Sequence, residues 1–482
     1  MIKIDKSKFV MVHDTEDRIV DHAMESKEVG YYKDSWNRFK KNKASLIAFI
    51  IICILFFFVL IGPYMKVYTL PQDDPTAASR LEYLIPKVPG LEKLGIFNGE
   101  KKVKTGKQFL TYMYHSDFGK GIIKSGLPEE IMNETDIDVA LQMAVNHELA
   151  EFEVIVDYYK YLNYTISYMP IDYFKTVEEN NKLGEERQDQ HRDPLAAVRK
   201  TKTQAEFLEL MERNVIIDIL DIIKSPNLED PSKPYFQYEI REDQFMSSLS
   251  QLPEDTYFWF GTNAQGKDLF TELWKGARIS LLMALSVLIV NTTVGLTLGS
   301  IIGYYGGVVD LIFDRVVEII SSIPFMSVLT LLTLRFGSAL WVILLAFTAT
   351  GWIGSYGTGR MQFYRFKNRE YVLAARTLGA SDARIMFKHI FPNTLGYIVT
   401  GYALAIPAFV FTEATYSFLG IINYGKTTSV GMLLENGQKM MQTQPHLLIY
   451  PALYIAILMI AFNLFGNGLR DAFNPSLRGA DE

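Results

Sequence analysis

Uncharged apolar runs constrain this chain more than any other feature. The first run, residues 44–65, contains 22 residues and no charged side chain. About 20 apolar residues are enough for a helix to cross the hydrocarbon core of a bilayer. The run is also too long for the apolar part of a cleavable signal peptide. We therefore expect a first membrane-spanning helix at 44–65.

Five further apolar runs lie in the second half of the chain and predict five more crossings. They cover residues 279–309, 319–334, 336–359, 393–419 and 447–465. The third crossing is short and contains Pro324. Together the runs predict an α-helical polytopic membrane protein with six transmembrane helices, the last five within a domain at 259–482.

Residues 66–258 differ sharply from the apolar runs on either side. They contain 34 acidic and 22 basic residues, a net charge of −12, whereas the whole chain carries −6. A segment of this length can bury a core of its own. Its mixture of aromatic residues with helix-like stretches such as 205–223 favours a folded α+β insert domain between the first and second transmembrane helices.

Basic residues on one side of the apolar runs indicate the orientation. Five of them lie within 33–43, directly before the first run, and only Asp34 opposes them there: Lys33, Arg38, Lys40, Lys41 and Lys43. Segments rich in Lys and Arg stay on the cytoplasmic side. The segment 1–43 is therefore predicted to be cytoplasmic and the insert extracytoplasmic. Six crossings then place the C-terminus and the loop 360–392 inside. The short acidic loop expected at 310–318, between the second and third runs, opposes this assignment, but short acidic loops contribute little to orientation.

The loop 360–392 is basic, with seven Lys and Arg against two acidic residues, and its pattern predicts helix, turn, helix. The first helix has an apolar face made of Tyr371, Ala374, Ala375 and Leu378. Gly379 is a predicted helix stop, since glycine accepts a positive φ without steric cost. Ser381 and Asp382 can cap a second short helix, with Ile385, Met386 and His389 on one side. The small alanines would allow another surface to approach closely. An ordinary amphipathic connection between membrane helices is the alternative.

Three other sequence patterns suggest a nucleotide, zinc or nucleic-acid site, but each lacks a feature that such a site requires. Residues 261–267 match the phosphate-binding pattern GxxxxGK, but Asp268 stands where Ser or Thr must hold Mg²⁺. His147-Glu148 lacks the second histidine of zinc proteases, because Glu151 occupies that position. The basic loop is short and lacks the aromatic interleaving of a nucleic-acid surface. We therefore expect no catalytic residues, no metal site and no nucleic-acid partner in this chain.

Polar residues inside the apolar runs are candidates for a translocation path. A carboxylate at membrane depth is costly and usually faces a cavity or a partner, which favours a functional role for Glu413. Asn291 and Thr293 belong to a polar stripe in the second run, and Asn463 lies in the sixth. The alternative for the uncharged residues is hydrogen bonding between helices.

Residues 370–393, EYVLAARTLGASDARIMFKHIFPN, resemble the cytoplasmic loop of ABC importer permeases. The spacing of Ala374, Ala375, Gly379 and Pro392 fits that motif, while Leu373 replaces its Glu and Phe391 its Leu. Segments DSWNRFKKNKASLIAF, GTNAQGKDLFTELWKGARISL, TEATYSFLG and AFNLFGNGLRDAFNP are similar to C-type subunits of oligopeptide, dipeptide and nickel permeases. The resemblance covers about 1–100 and 257–482.

The resemblance implies a type I ABC importer permease fold in a bacterial cytoplasmic membrane. It also implies four kinds of neighbour: membrane lipid, a second permease subunit, two ABC ATPase subunits and an extracytoplasmic substrate-binding protein. ATP and Mg would be used by the ATPases, and this chain would bind no cofactor. The predicted cargo is a peptide, with nickel or another small solute as the alternative. A membrane receptor with a sensing insert and an ion-coupled carrier using Glu413 are the competing hypotheses.

Overall fold

The computed structural model describes residues 31–65, 81–168, 200–225, 235–425 and 427–473. Most of the N-terminal segment 1–43 and parts of the 66–258 segment lie outside these ranges. The first described helices are α1 (Tyr31–Lys41) and α2 (Lys43–Ile61). Helix α2 carries the first apolar run and begins at Asn42, whose side chain accepts a hydrogen bond from the Ser45 amide.

The described residues after 259 form helices joined by short connections. Its long helices are α9 (Leu269–Tyr305), α10 (Gly307–Ser321), α11 (Phe325–Phe336), α12 (Leu340–Phe366), α15 (Phe391–Phe418) and α17 (His446–Phe473). Shorter helices are α13 (Glu370–Thr377), α14 (Asp382–Arg384) and α16 (Val430–Lys439). A π-turn over Ile385–Ile390 joins α14 to α15.

Five helices of the described residues are long and apolar enough to cross a membrane, and α10 with α11 forms a bent pair that would make a sixth. The pair bends by 66°, because Pro324 stands between the two helices. The third crossing predicted at 319–334 is therefore divided, with 319–321 at the end of α10 and 325–334 in α11. The acidic segment 310–318, expected to be a loop, lies in α10. The helices after residue 259, together with α2, define a polytopic membrane protein.

Helices and strands alternate between α2 and α9. The first group is β1 (Glu100–Gly106), α3 (Lys107–His115), β2 (Ile123–Ser125), α4 (Glu129–Asn133), α5 (Ile137–Asn146), β3 (Glu151–Asp157) and α6 (Tyr158–Asn163). The second is β4 (Lys200–Thr203), α7 (Gln204–Glu212), β5 (Ile216–Ser225), β6 (Tyr235–Glu242) and α8 (Gln244–Leu249). The two antiparallel sheets have strand orders β1-β3-β2 and β4-β6-β5. The helix expected over 205–223 ends at Glu212, and the rest of that stretch is strand β5.

One contact fixes this region against the segment before α9, and another joins the beginning of the region to its end. The Leu84 amide donates to Thr262 Oγ1 at 2.8 Å, and Thr262 Oγ1 donates to the Leu81 carbonyl. The buried Lys87 ammonium donates to the carbonyls of Pro253 and Glu254. Burial lowers the pKa of Lys87. We call this end of the spans the insert end, and the end where α9 stops at Tyr305 the loop end.

Candidate functional site

Helix α13 at the loop end ends as its sequence predicts. The Gly379 amide donates to the Arg376 carbonyl and the Ala380 amide to the Ala375 carbonyl, both at 3.0 Å. This pair of bonds is a Schellman motif, which requires a left-handed residue after the helix. Gly379 has φ +78° and supplies it. The predicted helix stop is confirmed.

The predicted apolar face of α13 divides into two sides. Ala375 is buried with Val372, against Phe363 of α12 and Ile385 after α14. Tyr371 and Leu378 are instead 40% and 88% exposed, and Ala374 is exposed beside them. The four residues therefore do not share one buried face. Tyr371, Ala374 and Leu378, spaced by three and four residues, form an exposed stripe that we call the α13 face.

The second predicted helix forms as α14, but it continues into α15 instead of standing alone. Ser381 accepts a hydrogen bond from the Arg384 amide at 3.4 Å and caps α14. The chain then continues through the π-turn into α15, and Pro392 lies in the first turn of α15 rather than closing a loop. Ile385 and Met386 are buried with Ile390, whereas His389 is only half-buried. The expected loop 360–392 is thus the end of α12, helix α13, and the beginning of a long helix.

Charged groups join the loop end into one body. Arg360 of α12 donates from Nε and Nη2 to the two carboxylate oxygens of Asp310, at 2.6 and 2.9 Å. Its Nη1 lies 3.4 Å from Asp314 Oδ1. These carboxylates lie four residues apart on α10, so both face the same guanidinium. Bidentate pairing of this kind fixes geometry as well as charge.

A cavity of about 720 Å³ opens between α12 and α15, with α9 and α17 contributing to its walls. Its volume falls within the range of about 300–1,000 Å³ that is usual for small-molecule sites. Its lining is mostly apolar, with polar groups from several helices: Asn291, Ser355, Thr358, Thr400, Tyr402 and Arg470. The Tyr402 hydroxyl donates to Ser355 Oγ at 2.9 Å across the cavity. The arrangement can hold a solute with both apolar and hydrogen-bonding groups.

The structure does not bring the four predicted path residues together. Asn291 lines the 720 Å³ cavity. Thr293 lines a second cavity of about 520 Å³ between α9 and the segment Ala383–Phe391. Asn463 is exposed, and its Nδ2 donates to the Met459 carbonyl of its own helix. Of the four, only Asn291 and Thr293 face a cavity, and the cavities are different.

Glu413 lies in a closed polar cluster near the insert end. Its side chain is fully buried. The hydroxyls of Ser280 and Ser417 donate to its two carboxylate oxygens at 2.9 and 3.1 Å. The Val430 amide donates to the same Ser280 hydroxyl. Glu413 therefore joins α15 to α9 and to the start of α16.

The segment 261–267 also has a structural role. Asp268 caps α9, accepting hydrogen bonds from the Phe270 and Thr271 amides at 3.2 and 3.1 Å. Burial raises the pKa of Asp268, and these hydrogen bonds act in the opposite direction. The residue that breaks the phosphate-binding pattern is thus a helix cap. Among the described residues, no three His, Cys, Asp or Glu side chains are grouped as metal ligands.

Comparison with known proteins agrees with this architecture. Residues 295–479 match the family described as binding-protein-dependent transport system inner membrane component. Residues 30–86 match the N-terminal TM domain of oligopeptide transport permease C. The two matches include α2 and the helices from the second half of α9 onward, and they leave out 87–294.

Curated relatives extend this match. A dipeptide transport system permease protein of Bacillus subtilis is 39% identical over 228 residues, which are 47% of this chain and 71% of the relative. An oligopeptide transport system permease protein of the same organism is 39% identical over 226 residues, 47% of this chain and 74% of the relative. An oligopeptide transport system permease protein of Escherichia coli K12 is 34% identical over 264 residues, which are 55% of this chain and 85% of the relative.

These matches confirm the resemblance drawn from the loop motif and the terminal segments. The class defined by the helices is a multi-pass membrane protein. Within that class, the chain belongs to the family of binding-protein-dependent transport system inner membrane components, the permeases of ABC importers.

Proposed function

We propose that this chain is the membrane permease subunit of an ATP-driven importer that carries peptides across a bacterial cytoplasmic membrane. The names of the relatives, which are dipeptide and oligopeptide permeases, support the cargo class. The observation that carries the mechanism is the α13 face, an exposed apolar stripe on a helix held rigidly at the loop end. Exposed apolar stripes of this kind are typical of interaction sites.

In this proposal the loop end is cytoplasmic and the insert end faces outward. The seven basic residues of 360–392 support this orientation, because Lys and Arg concentrate in cytoplasmic segments. The N-terminal segment and the C-terminus are then both cytoplasmic. Two ABC ATPase subunits lie on the cytoplasmic side and supply ATP hydrolysis with Mg, so this chain needs no cofactor and no catalytic residue.

The α13 face receives one ATPase. Tyr371, Ala374 and Leu378 project outward, and Ala374 lets the partner approach the helix backbone. Ala375 contributes from the other side, because it packs α13 onto the permease itself. Hydrolysis shifts the permease between inward-open and outward-open states through contacts that differ in the two states.

The cavity between α12 and α15 is our candidate for this chain's share of the translocation path. It contains Asn291, and it is bordered at the loop end by Arg470. Thr293 faces the second cavity and remains a weaker candidate. Glu413 and Asn463 line neither cavity, so their proposed place in the path has no support from this geometry. A second permease subunit supplies the rest of the path.

Residues 66–258 form, in this proposal, a folded α+β domain of a type I importer permease, outside the membrane. The two sheets and their buried cores support a folded domain. Its position at the insert end suits it to receive the substrate-binding protein or to guard the outer mouth. Replacing 100–242 with a flexible linker keeps the Leu84–Thr262 contact; unchanged affinity for the binding protein would reject the receiving role.

The proposed function is tested by purifying the tagged chain from its native membranes and identifying the chains bound to it. We expect a second permease and two ABC ATPases, and ATP-dependent peptide uptake after reconstitution. Ala374→Asp places a charge on the exposed α13 face and should abolish both ATPase binding and uptake.

Leu373→Glu is the matched control, since it adds the same charge one residue earlier, outside the α13 face. It should leave ATPase binding intact. Ala375→Asp is a poorer test, because it places the charge in a buried cluster and disturbs the fold. The proposal would be rejected if no ATPase co-purified, or if the Ala374→Asp protein imported peptides normally.

A further inference from the structure

The last turn of α9 lies at the centre of the loop end. The Lys367 ammonium donates to the Gly303 and Tyr304 carbonyls at 3.0 and 3.3 Å, which binds the end of α12 to the end of α9. The adjacent Arg360 holds α10 through Asp310. Four segments, α9, α10, α12 and α13, therefore meet around Tyr304.

Tyr304 connects this centre to α13 and α14. Its side chain is buried, in a cluster with Val372 and Ala375 of α13. Its hydroxyl donates to Asp382 Oδ1 at 2.6 Å and accepts from Arg376 Nη2 at 3.2 Å. The Arg376 guanidinium also lies 5.7 Å from the Tyr304 ring centroid. The hydrogen bond to Tyr304 raises the pKa of Arg376, so the guanidinium stays charged.

One hydroxyl thus joins both sides of the Gly379 turn to the tip of α9. Arg376 precedes the turn and Asp382 follows it. Hydrogen bonds to charged partners are the stronger ones in proteins, and they are directional. The turn cannot rotate away from α9 without breaking both bonds.

Helix α9 passes any movement on to α12, because the two are packed backbone to backbone. A Cβ atom on Gly295, Gly299 or Gly303 would lie 2.3, 2.1 or 2.5 Å from a carbonyl oxygen of α12. Glycines at four-residue spacing allow such close helix contact in membranes. The α9–α12 pair is therefore expected to move as one body.

The covalent route from α13 leads into α15 through the π-helical segment Ile385–Ile390. The hydrogen bonds on both sides of the Gly379 turn lead instead to α9. The contacts therefore favour α9 and α12, rather than α15, as the lever.

Resting on the proposed function, we propose that Tyr304 is a positioning residue for coupling. Its hydroxyl holds α13 on the tip of α9, so that movement imposed on the α13 face by an ATPase passes into the α9–α12 pair. Without this bond the turn at 378–381 would absorb part of the movement.

The test is Tyr304→Phe, which removes the hydroxyl and keeps the buried ring. Tyr305→Phe is the matched control, because Tyr305 is the next residue and is 59% exposed. Both are measured in the full reconstituted complex, with the peptide imported and ATP hydrolysed recorded together. We expect the ratio of imported peptide to hydrolysed ATP to fall about fivefold or more in Tyr304→Phe. About fivefold is the lower end of the usual coupling between two sites. The control should match the wild type.

A second readout does not depend on transport. Amide hydrogen exchange of residues 370–382 should rise in Tyr304→Phe and not in Tyr305→Phe, while the amount of assembled complex stays equal. In a double-mutant cycle, Tyr304→Phe with Asp382→Ala should lower the ratio no further than Tyr304→Phe alone, because Tyr304→Phe already removes the bond to Asp382.

The outcomes separate the two proposals. Normal coupling and normal exchange in Tyr304→Phe, or additive effects in the cycle, would overturn the role of Tyr304 alone. A wild-type complex that hydrolyses ATP without importing peptide would overturn the proposed function, and the coupling role with it.

Discussion

Helix α12 carries glycines on two sides, and the two sides meet their neighbours in opposite ways. Toward α9, Gly359 contributes to a seam in which Cβ atoms on the glycines of α9 would collide with backbone at 2.1–2.5 Å. Toward α15, Gly354 and its neighbour Gly401 across the cavity would each find open space for a Cβ, with no atom within 4 Å. The first seam is closed and the second is open.

The contrast shows that glycine has two roles on α12. Toward α9 it allows close packing of two helices, and toward α15 it leaves free volume. A glycine inside a helix costs roughly 0.5–1 kcal/mol relative to alanine. On the α9 side close contact of the two backbones offsets this cost. On the α15 side no backbone lies against Gly354 or Gly401, and what these glycines leave is the cavity. A closed seam transmits movement, whereas an open one can admit a solute.

Gly299→Leu should have the largest effect, because it attacks the closed seam. Its Cβ would lie 2.1 Å from the Tyr356 carbonyl oxygen, so the two helices must separate. Overpacking usually costs about 1–3 kcal/mol, and a clash with backbone lies at the upper end or beyond. We expect about a tenfold or greater loss of monodisperse protein by size-exclusion chromatography. Gly357→Leu is the control, since a Cβ there meets nothing within 4 Å and the residue lines neither seam nor cavity. Equal yields for both would contradict a closed seam.

Gly354→Leu combined with Gly401→Leu attacks the open seam and should fill the cavity without a clash. The protein should assemble and hydrolyse ATP, since both positions have free space. Peptide uptake should fall about fivefold or more if the cavity is the path. Gly357→Leu again serves as the control for a larger side chain on the same helix. Uptake at the wild-type rate would remove the cavity from the path.

Arg360→Gln should weaken the contact between α12 and α10, which lies beside the closed seam at the loop end. It removes the guanidinium that pairs with the neighbouring carboxylates of Asp310 and Asp314. The ion pair is partly exposed, so we expect a loss of only about 1–2 kcal/mol, seen as a fall of a few degrees in the unfolding temperature. Adding Asp310→Asn should restore part of the loss. A double variant less stable than Arg360→Gln would show that the pair is not the source of the effect.

Tyr402→Phe should have the smallest effect. It removes the hydrogen bond to Ser355 across the open seam and keeps the ring. A single neutral hydrogen bond contributes about 0.5–1.5 kcal/mol. We expect stability to change by no more than this, and uptake by less than about threefold. A loss of uptake as large as in the glycine variants would mean that this bond, rather than free volume, decides passage.

Local signals predicted local structure well. Run length located α2, α9, α12, α15 and α17, and the Gly379 stop and the Ser381 cap are where the loop sequence puts them. The positions at which the helices are interrupted were harder to predict. Pro324 was visible, but the 66° bend it creates was not expected. Residues 310–318 were expected to be a loop. The cation that pairs with Asp310 and Asp314 is Arg360, about fifty residues away, so no local pattern showed this contact.

Burial on a short helix was also beyond the sequence. Spacing put Tyr371, Ala374, Ala375 and Leu378 on one apolar side, yet only Ala375 turns inward. Which of two adjacent apolar sides of α13 is covered depends on Phe363 and Ile385, and their position depends on how α12 and α15 cross. Tyr304 went unnoticed for the same reason: a tyrosine at the end of an apolar run has no local sign of its two charged partners.

Three signals depend only on neighbouring residues: apolar run length, charge asymmetry and helix caps. The amino-acid sequence alone was therefore enough to predict a multi-pass helical membrane protein and its loop helix. Contacts between residues far apart in the chain need the packed helices. Only those contacts decide that Glu413 is enclosed by serine hydroxyls, that one face of α12 is sealed and another open, and that the loop helix is held by a tyrosine of α9.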